Sequence, residues 1–344
     1  MARRNLEKHL QAGKCIEKGR PWPEKFSKVD IIKEIPFDSE LGGIWSLQYS
    51  FDGETLAVGY GNGAIRLFNA TTGELLKDLR KTRYGGFQIM CLRFHPKEHH
   101  ILLAGTSEGL IFLCNTQDGT VTEKITEKNN EINCLDFDCE GFNFATAGKD
   151  LNVRIYDTKT FQLDKTYGGY DSTQNPTEIA SCAMRVFSLK YHPDKPNIFV
   201  TGGWENHLKI WDHTTNNGVQ RTMHGPHICG DSIDLKEWSV LTGSWVGQSA
   251  LQEWDWTSGK SKDIPFDFKG HNGAYLYCAQ YCDNDVVMAG GSGTNSVQAI
   301  NKATGEKIGE VQMKSAVHAL DTTMGGRLFA VGGKEDNLVL GRLC

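Results

Sequence analysis

The amino-acid sequence predicts an all-β protein in which seven four-stranded antiparallel sheets form a ring. Three observations lead to this prediction. A strand pattern recurs at nearly constant spacing, glycine-rich turns separate the strands, and one unassigned strand candidate precedes the first repeat. The chain of 344 residues is long enough for one large β domain.

The repeated unit is clearest in "IWSLQYSFDGETLAVGYGNGAIRLFNATTGELLKDL" (44–79). Each copy reads as four short runs of alternating apolar residues joined by Gly, Asp or Asn turns. A period of about 40–45 residues with four strands per unit is typical of a β-propeller blade. The matching first-strand positions, separated by 45, 43, 54, 44, 46 and 41 residues, are Leu47, Leu92, Leu135, Leu189, Ile233, Ala279 and Leu320. The predicted blades are 44–79, 89–125, 132–167, 186–223, 228–264, 275–311 and 317–344.

The glycine-rich stretch "GYGNG" (59–63) could be a phosphate-binding loop or a hairpin turn. A phosphate loop requires a following helix whose N-terminus faces the anion, whereas a strand pattern follows here. Glycine also supplies the positive φ that a tight hairpin needs. We therefore predict a turn between the second and third strands of blade one.

Blade seven ends at its third strand, "NLVLGRLC" (337–344), which would leave a row of unpaired backbone groups. The alternating segment "KVDIIKEIPF" (28–37) is predicted to supply the missing outer strand and close the ring. The propeller domain would then span 28–344. The preceding segment 1–27 carries seven Lys or Arg against three Glu. It is either a solvated tail or a docking element for an acidic partner.

The third strands of two units end in Trp-Asp, as "LKIWD" (208–212) and "LQEWD" (251–255), and "VRIYD", "IRLFN" and "IFLCN" are weaker versions. With the seven in-register units, the chain resembles the WD40-repeat family over about 38–344. The resemblance implies a seven-bladed propeller closed by its N-terminal strand. Only "KGHNGAY" (269–275) has a clear Gly-His before a first strand. Few blades are therefore expected to hold the family's complete His–Ser/Thr–Asp–Trp hydrogen-bond network.

Composition and charge narrow the functional class. The formal charge of −5 gives no reason to expect nucleic acid or an anionic membrane as the partner. There is no secretory signal and no apolar run near the ~20 residues of a membrane helix. The ten cysteines show no CxxC pair, and several lie in apolar strand patterns, as expected for reduced thiols. We expect an intracellular, cytoplasmic protein, with nuclear or ciliary location left open.

The sequence contains no nucleophile or Walker motif, and no catalytic residue, cofactor or metal is expected. "MHGPHIC" offers His224, His227 and Cys229 as metal ligands, but a fourth ligand at credible spacing is lacking. The recurring His-Pro of "HPKEHH" (95–100) and "HPDKP" (192–196) is interpreted as a structural turn device. "ATAGKDLNVRIYDTK" (145–159) resembles a motif by which some WD40 proteins dock to a cullin ligase adaptor, with Lys159 in the basic position.

Large aromatic and apolar residues recur where loops enter the first strands and where second and third strands are joined. Trp and Tyr at such positions are typical of binding hot spots, although several of these rings could instead pack between blades. The predicted function is a non-catalytic scaffold that binds a peptide or protein, as a subunit of a larger eukaryotic complex. Alternatives are a substrate receptor of a cullin-type ubiquitin ligase, and an enzyme or metal-binding propeller using the loops of blades four to six. The long linker 168–185 is a second place where a partner could bind. The predicted partner-binding residues are Trp45, Tyr60, Met90, Phe187, Trp204, Trp245, Tyr277 and His318.

Overall fold

The fold is a closed ring of seven four-stranded antiparallel blades, as predicted. The computed structural model describes residues 25–81, 86–168, 182–268, 273–334 and 337–344. Most of the basic segment 1–27, most of the linker 168–185 and the Gly-His of "KGHNGAY" lie outside the described residues.

The strands follow one another along the chain, and each blade runs from an inner first strand to an outer fourth strand. Strand β1 (Val29–Ile35) precedes all the blades. Blade one contains β2 (Ile44–Tyr49), β3 (Thr55–Tyr60), β4 (Ile65–Asn69) and β5 (Leu75–Arg80). Blade two contains β6 (Ile89–Phe94), β7 (Ile101–Thr106), β8 (Leu110–Asn115) and β9 (Val121–Thr126). Blade three contains β10 (Ile132–Phe137), β11 (Asn143–Gly148), β12 (Val153–Asp157) and β13 (Leu163–Tyr167).

The remaining blades repeat this order, with two short 3-10 turns at Ser39–Leu41 and Met324–Gly326. Blade four contains β14 (Val186–Tyr191), β15 (Ile198–Gly203), β16 (His207–Asp212) and β17 (Val219–His224). Blade five contains β18 (Ile233–Lys236), β19 (Ser239–Gly243), β20 (Leu251–Asp255) and β21 (Ser261–Asp263). Blade six contains β22 (Leu276–Tyr281), β23 (Val286–Gly291), β24 (Ser296–Asn301) and β25 (Lys307–Gln312). Blade seven contains β26 (Val317–Thr323), β27 (Leu328–Gly333) and β28 (Leu338–Leu343).

Strand β1 closes the ring, which confirms the predicted latch. It pairs antiparallel with β28, from Val29 opposite Leu343 to Ile35 opposite Leu338. The contact begins before the strand, because the Phe26 ring is buried in the core between blades six and seven. Blade seven is therefore completed by a segment that lies about 300 residues away in sequence.

The turn at "GYGNG" is the predicted hairpin. The Gly63 N–H donates to the Tyr60 carbonyl at 3.1 Å, and Gly63 has a φ of +85°. A Cβ at Gly61 would stand 2.2 Å from the Gly42 carbonyl oxygen, so only glycine lets the two backbones approach this closely. The strand β4 follows the turn directly.

Small residues let the first strands pack around the central channel. The position just before the repeated apolar position of each blade holds a buried Ser, Cys or Ala, because the second strand of the same blade comes very close. A Cβ at Gly105, for example, would lie 2.6 Å from the Cys91 sulfur. This ring position accounts for three of the buried free cysteines, and its members are Ser46, Cys91, Cys134, Ser188, Ser232, Cys278 and Ala319.

Buried polar groups join neighbouring blades. The carboxylates of Asp136, Asp234 and Asp321 each accept a backbone N–H from the first strand of the next blade, at 2.8, 2.8 and 2.6 Å. The two His-Pro turns join blades in a second way. His95 Nε2 lies 3.0 Å from the Gly141 carbonyl, and His192 Nε2 lies 3.0 Å from the Glu237 carbonyl. The structural interpretation of the repeated His-Pro is confirmed.

Blade three contains a buried network centred on a carboxylate. Glu127 Oε1 accepts from the Thr146 hydroxyl at 2.6 Å and the Tyr156 hydroxyl at 3.0 Å. Its Oε2 accepts from Asn130 Nδ2 at 2.6 Å and Arg154 Nη1 at 3.0 Å. Glutamate thus occupies the loop position where the family network has histidine. This substitution was not predicted from the sequence, because no Gly-His pair marks the position.

Candidate partner-binding site at the mouth of the channel

In each blade, the residue two positions before the repeated apolar position faces the mouth of the central channel. Together these residues line a cavity of about 200 Å³. Five of the eight predicted site residues therefore meet at one place, although they are far apart in sequence. The five are Trp45, Met90, Phe187, Tyr277 and His318.

The corresponding position in blade five is Asp231, which sequence analysis did not select. Blade five is the loosest repeat, and its first strand is only four residues long, so Asp231 lies outside the strand pattern. The spacing nevertheless identifies it, because Asp231 precedes Ile233 by two positions, as Trp45 precedes Leu47. Asp231 lines the cavity, and its side chain is 44% exposed.

An arc of aromatic rings runs along one side of the mouth. The centroids of Trp45 and His318 are 4.9 Å apart, and those of His318 and Tyr277 are 5.6 Å apart. The arc continues to Trp245, whose indole N–H donates to the Tyr277 hydroxyl at 3.0 Å. Trp245 is also the most exposed of the predicted site residues, at 40%. Its ring packs at a tilt against that of Tyr275, with the centroids 5.1 Å apart.

A second aromatic pair lies on another side of the mouth. The rings of Phe187 and Trp204 are 5.3 Å apart, and the Arg185 guanidinium lies 5.5 Å from the Trp204 ring centroid. Arg185 also forms an ion pair with Glu131 at 2.8 Å. Both aromatic rings are half-buried, so part of each remains available to a partner.

The expectation of an exposed ring is wrong for Tyr60. Its side chain is 1% exposed and packs in the core of blade one, 5.8 Å from the Phe37 ring. Burial raises the pKa of Tyr60 to about 12. The physical reason is that Tyr60 is the last residue of β3 rather than part of the turn, and its ring contributes to the blade core. It therefore does not belong to the mouth surface.

The indole hydrogen-bond donors around the mouth are already used within the protein. The indole N–H groups of Trp45 and Trp204 donate to the Gly42 carbonyl and the Cys229 sulfur, both at 3.1 Å. His318 Nδ1 is buried and has no hydrogen-bond partner in the described part of the chain. Burial lowers the pKa of His318, so the ring is neutral near pH 7. The walls consequently present mainly aromatic faces.

The floor of the cavity is formed by Arg93. Its Nη2 pairs with Asp231 at 2.7 Å, and its Nε pairs with Asp136 at 3.2 Å. Burial opposes the charge on Arg93, but the two carboxylates outweigh it and raise the pKa of the guanidinium. For Asp231, burial likewise opposes the charge, and Arg93 outweighs it and lowers the pKa of the carboxyl. Both groups are therefore charged, and the ion pair links blade two to blade five across the channel.

The residues considered for metal binding and for docking to a ligase adaptor lie outside the cavity, apart from Cys229. Among the described residues, no three His, Cys, Asp or Glu side chains come together as metal ligands. His227 Nδ1 lies 2.7 Å from the Asn206 amide oxygen, and Cys229 accepts from Trp204. Lys159 is exposed in the turn after β12, on the face opposite the mouth. No helix in the described residues has the length and apolarity needed to cross a membrane.

Comparison with known proteins places the sequence among propellers. Residues 119–157 and 177–212 match the family model described as WD domain, G-beta repeat, and residues 29–135 match the model described as Vps8 beta-propeller. The seven blades and these matches together define the class as a seven-bladed β-propeller. Two segments of the chain thus match WD40 repeats, and the chain is similar to the WD40-repeat family.

Three relatives illustrate the range of similar proteins. Cell division cycle 20.1, cofactor of APC complex, from Arabidopsis thaliana is 25% identical over 74% of this chain and 53% of its own length. WD repeat-containing protein slp1 of Schizosaccharomyces pombe is 22% identical over 80% of this chain and 52% of its own length. GATOR2 complex protein WDR24 of Homo sapiens is 24% identical over 38% of this chain and 15% of its own length. The chain spans about half the length of the first two.

Proposed function

We propose that the protein is a non-catalytic interaction subunit that binds a peptide or protein partner at the mouth surface. We define the mouth surface as Trp45, Met90, Phe187, Trp204, Asp231, Trp245, Tyr277 and His318. The observation that carries the proposal is the convergence of large aromatic side chains from several blades on one cavity. Such rings supply much contact area at low entropic cost.

Two further points support this proposal. Relatives are named as a cofactor of the APC complex and as a GATOR2 complex protein, so membership of a larger assembly is a natural role for this chain too. The aromatic rings at the mouth are held by contacts with one another and by internal hydrogen bonds, so they are preorganised before a partner arrives. We place this role inside the cell, as expected from the reduced cysteines.

The test compares partner sets in the native cell by proximity labelling and pull-down. The variant is the double substitution Trp45→Ala, Trp245→Ala, required to keep the melting temperature of the wild type. The matched control is Phe142→Ala, Trp238→Ala, which removes two aromatic side chains, 67% and 49% exposed, from the opposite face. We expect the mouth variant, and not the control, to lose a defined set of partners. An unchanged partner set for the mouth variant would overturn the proposal.

A further inference from the structure

We propose that the mouth cavity receives a basic side chain, arginine or lysine, from the partner. This inference rests on the proposed function and adds the chemistry of the group that the cavity recognises. It follows from the aromatic side chains that line the cavity, from the carboxylate at its floor and from its size.

The walls are rich in π electrons, and their indole donors are already used. Trp45, Phe187 and Tyr277 line the cavity, and His318 completes the arc between two of them. The indole N–H groups of Trp45, Trp204 and Trp245 are all bonded within the protein. The negative face of an aromatic ring attracts a cation, and the attraction is larger when the cation is desolvated. An anionic group would find few donors at these walls.

The floor of the cavity presents a carboxylate. Arg93 is paired with both Asp136 and Asp231, so one guanidinium faces two carboxylates. Most of its donors are used, since Nη1 also donates to the Leu92 carbonyl at 2.9 Å. Asp231 is the carboxylate that lines the cavity, and apart from Arg93 it accepts only a long bond, 3.3 Å, from the Ser188 hydroxyl within the described chain. It therefore keeps acceptor capacity for a second cation.

The nearby basic groups leave this capacity available. Arg185 is engaged by Glu131 and by the Trp204 ring. Lys190 lines the chamber on the other side of Arg93, not this cavity, and acts on Asp231 only as a nearby charge. Lys334 is exposed to solvent and acts on His318 only as a nearby charge. None of these cations lines the cavity.

The size of the cavity fits one long side chain. A cavity of about 150 Å³ holds one benzene molecule, so about 200 Å³ is the size of one long side chain such as arginine or lysine. A whole peptide segment would not fit, so a single side chain would enter while the rest of the partner lies on the surrounding mouth surface.

The test is an NMR titration that follows the chemical shift of the Met90 methyl group, because Met90 lines the cavity. The purified full-length protein, labelled at its methionine methyl groups, is titrated with alanine pentapeptides whose central residue is arginine, lysine, citrulline or norleucine. The Met90 signal is assigned with Met90→Leu. We expect saturable shifts with arginine or lysine, and at least tenfold weaker binding of citrulline, the neutral counterpart of arginine, and of norleucine.

Two variants separate charge from folding. Asp231→Asn should weaken binding of the basic peptides at least fivefold. The control Asp283→Asn breaks a comparable ion pair, with Arg327 at 2.7 Å on the opposite face, and should leave binding unchanged. Should Asp231→Asn fail to fold, Trp45→Leu provides the second variant, because it keeps an apolar wall but removes the π face. It should weaken binding of arginine more than that of norleucine.

The outcomes test the cation inference separately from the proposed function. Equal or tighter binding of norleucine would show an apolar cavity and overturn the cation inference. No saturable shift with any peptide would also overturn it. In either case the proposed function stands if the Trp45, Trp245 variant still loses its partners in cells, and falls separately if it does not.

Discussion

Glu127 provides the sharpest test of how this propeller is stabilised. Its carboxylate is buried in blade three, and four donors face its two oxygens at 2.6 to 3.0 Å. In Glu127→Gln the negative charge that pairs with Arg154 would be lost, and an NH2 group would replace one of the two acceptor oxygens. In Glu127→Ala all four donors would lose their acceptor, and the Arg154 cation would keep only Asp150.

The expected cost follows from these contacts. Hydrogen bonds to a charged group contribute roughly 1.5–3 kcal/mol each, but four bonds to one carboxylate are not additive. Removing one partner of a buried ion pair costs about 3–5 kcal/mol. We therefore expect Glu127→Ala to lower the free energy of unfolding by about 3–5 kcal/mol and Glu127→Gln by about 2–4 kcal/mol. Either loss is a large fraction of the ~5–15 kcal/mol that stabilises a typical domain.

The matched control is Glu131→Gln, four residues away. Glu131, like Glu127, is paired with cations, Lys149 at 2.6 Å and Arg185 at 2.8 Å, but its side chain is 31% exposed. Solvent screening should limit its cost to about 1 kcal/mol or less. The assay is urea unfolding at pH 7.5, with the slopes compared to exclude a change in the denatured state. The reasoning fails if Glu127→Gln costs less than about 1 kcal/mol, or no more than Glu131→Gln.

Three further predictions concern the latch, the thiols and pH. Deleting residues 1–35 removes β1 and about half a dozen backbone hydrogen bonds at ~0.5–1.5 kcal/mol each, so the protein should unfold or aggregate; a monomeric product with unchanged melting temperature would contradict this. Burial raises the pKa of Cys91 to about 12, so at pH 8 mass-spectrometric mapping should find it unmodified by a thiol reagent until urea is added, with early labelling as the opposing result. Burial lowers the pKa of His95, so below about pH 6.5 the unfolded chain binds more protons and stability falls as the pH decreases. Urea midpoints at pH 7.5 and 5.5 should show a smaller loss for His95→Gln than for wild type, and an equal loss would contradict the assignment.

The repeat pattern alone was enough to predict the architecture, because strands and hairpin turns are determined by local residue order. Alternating apolar positions specify which face of a strand is buried, and glycine specifies where the chain can reverse. The missing strand of blade seven followed from the same logic, since an open sheet edge must be covered. The latch at 28–37 was therefore predictable, whereas the buried Phe26 before it was not, because a single aromatic residue in a basic segment carries no periodic signal.

The site was predicted only in part. Equivalent positions in successive first strands point toward the channel, so Trp45, Phe187 and Tyr277 could be expected to share one surface. Tyr60 was placed wrongly, because sequence does not reveal whether the last residue of a strand turns outward or into the blade core. Asp231 was missed because blade five departs from the repeat.

The sequence by itself determined the class of fold, the number of blades, the closing strand and the end of the ring at which large side chains gather. Only the tertiary structure decided which of those side chains meet, that Arg93 closes the cavity floor and that Asp231 completes the ring. The physical reason is one of range. Strand and turn propensities act between neighbours in sequence, whereas the charge and shape of the mouth arise from side chains of different blades, whose distances are set by how seven blades pack around one channel.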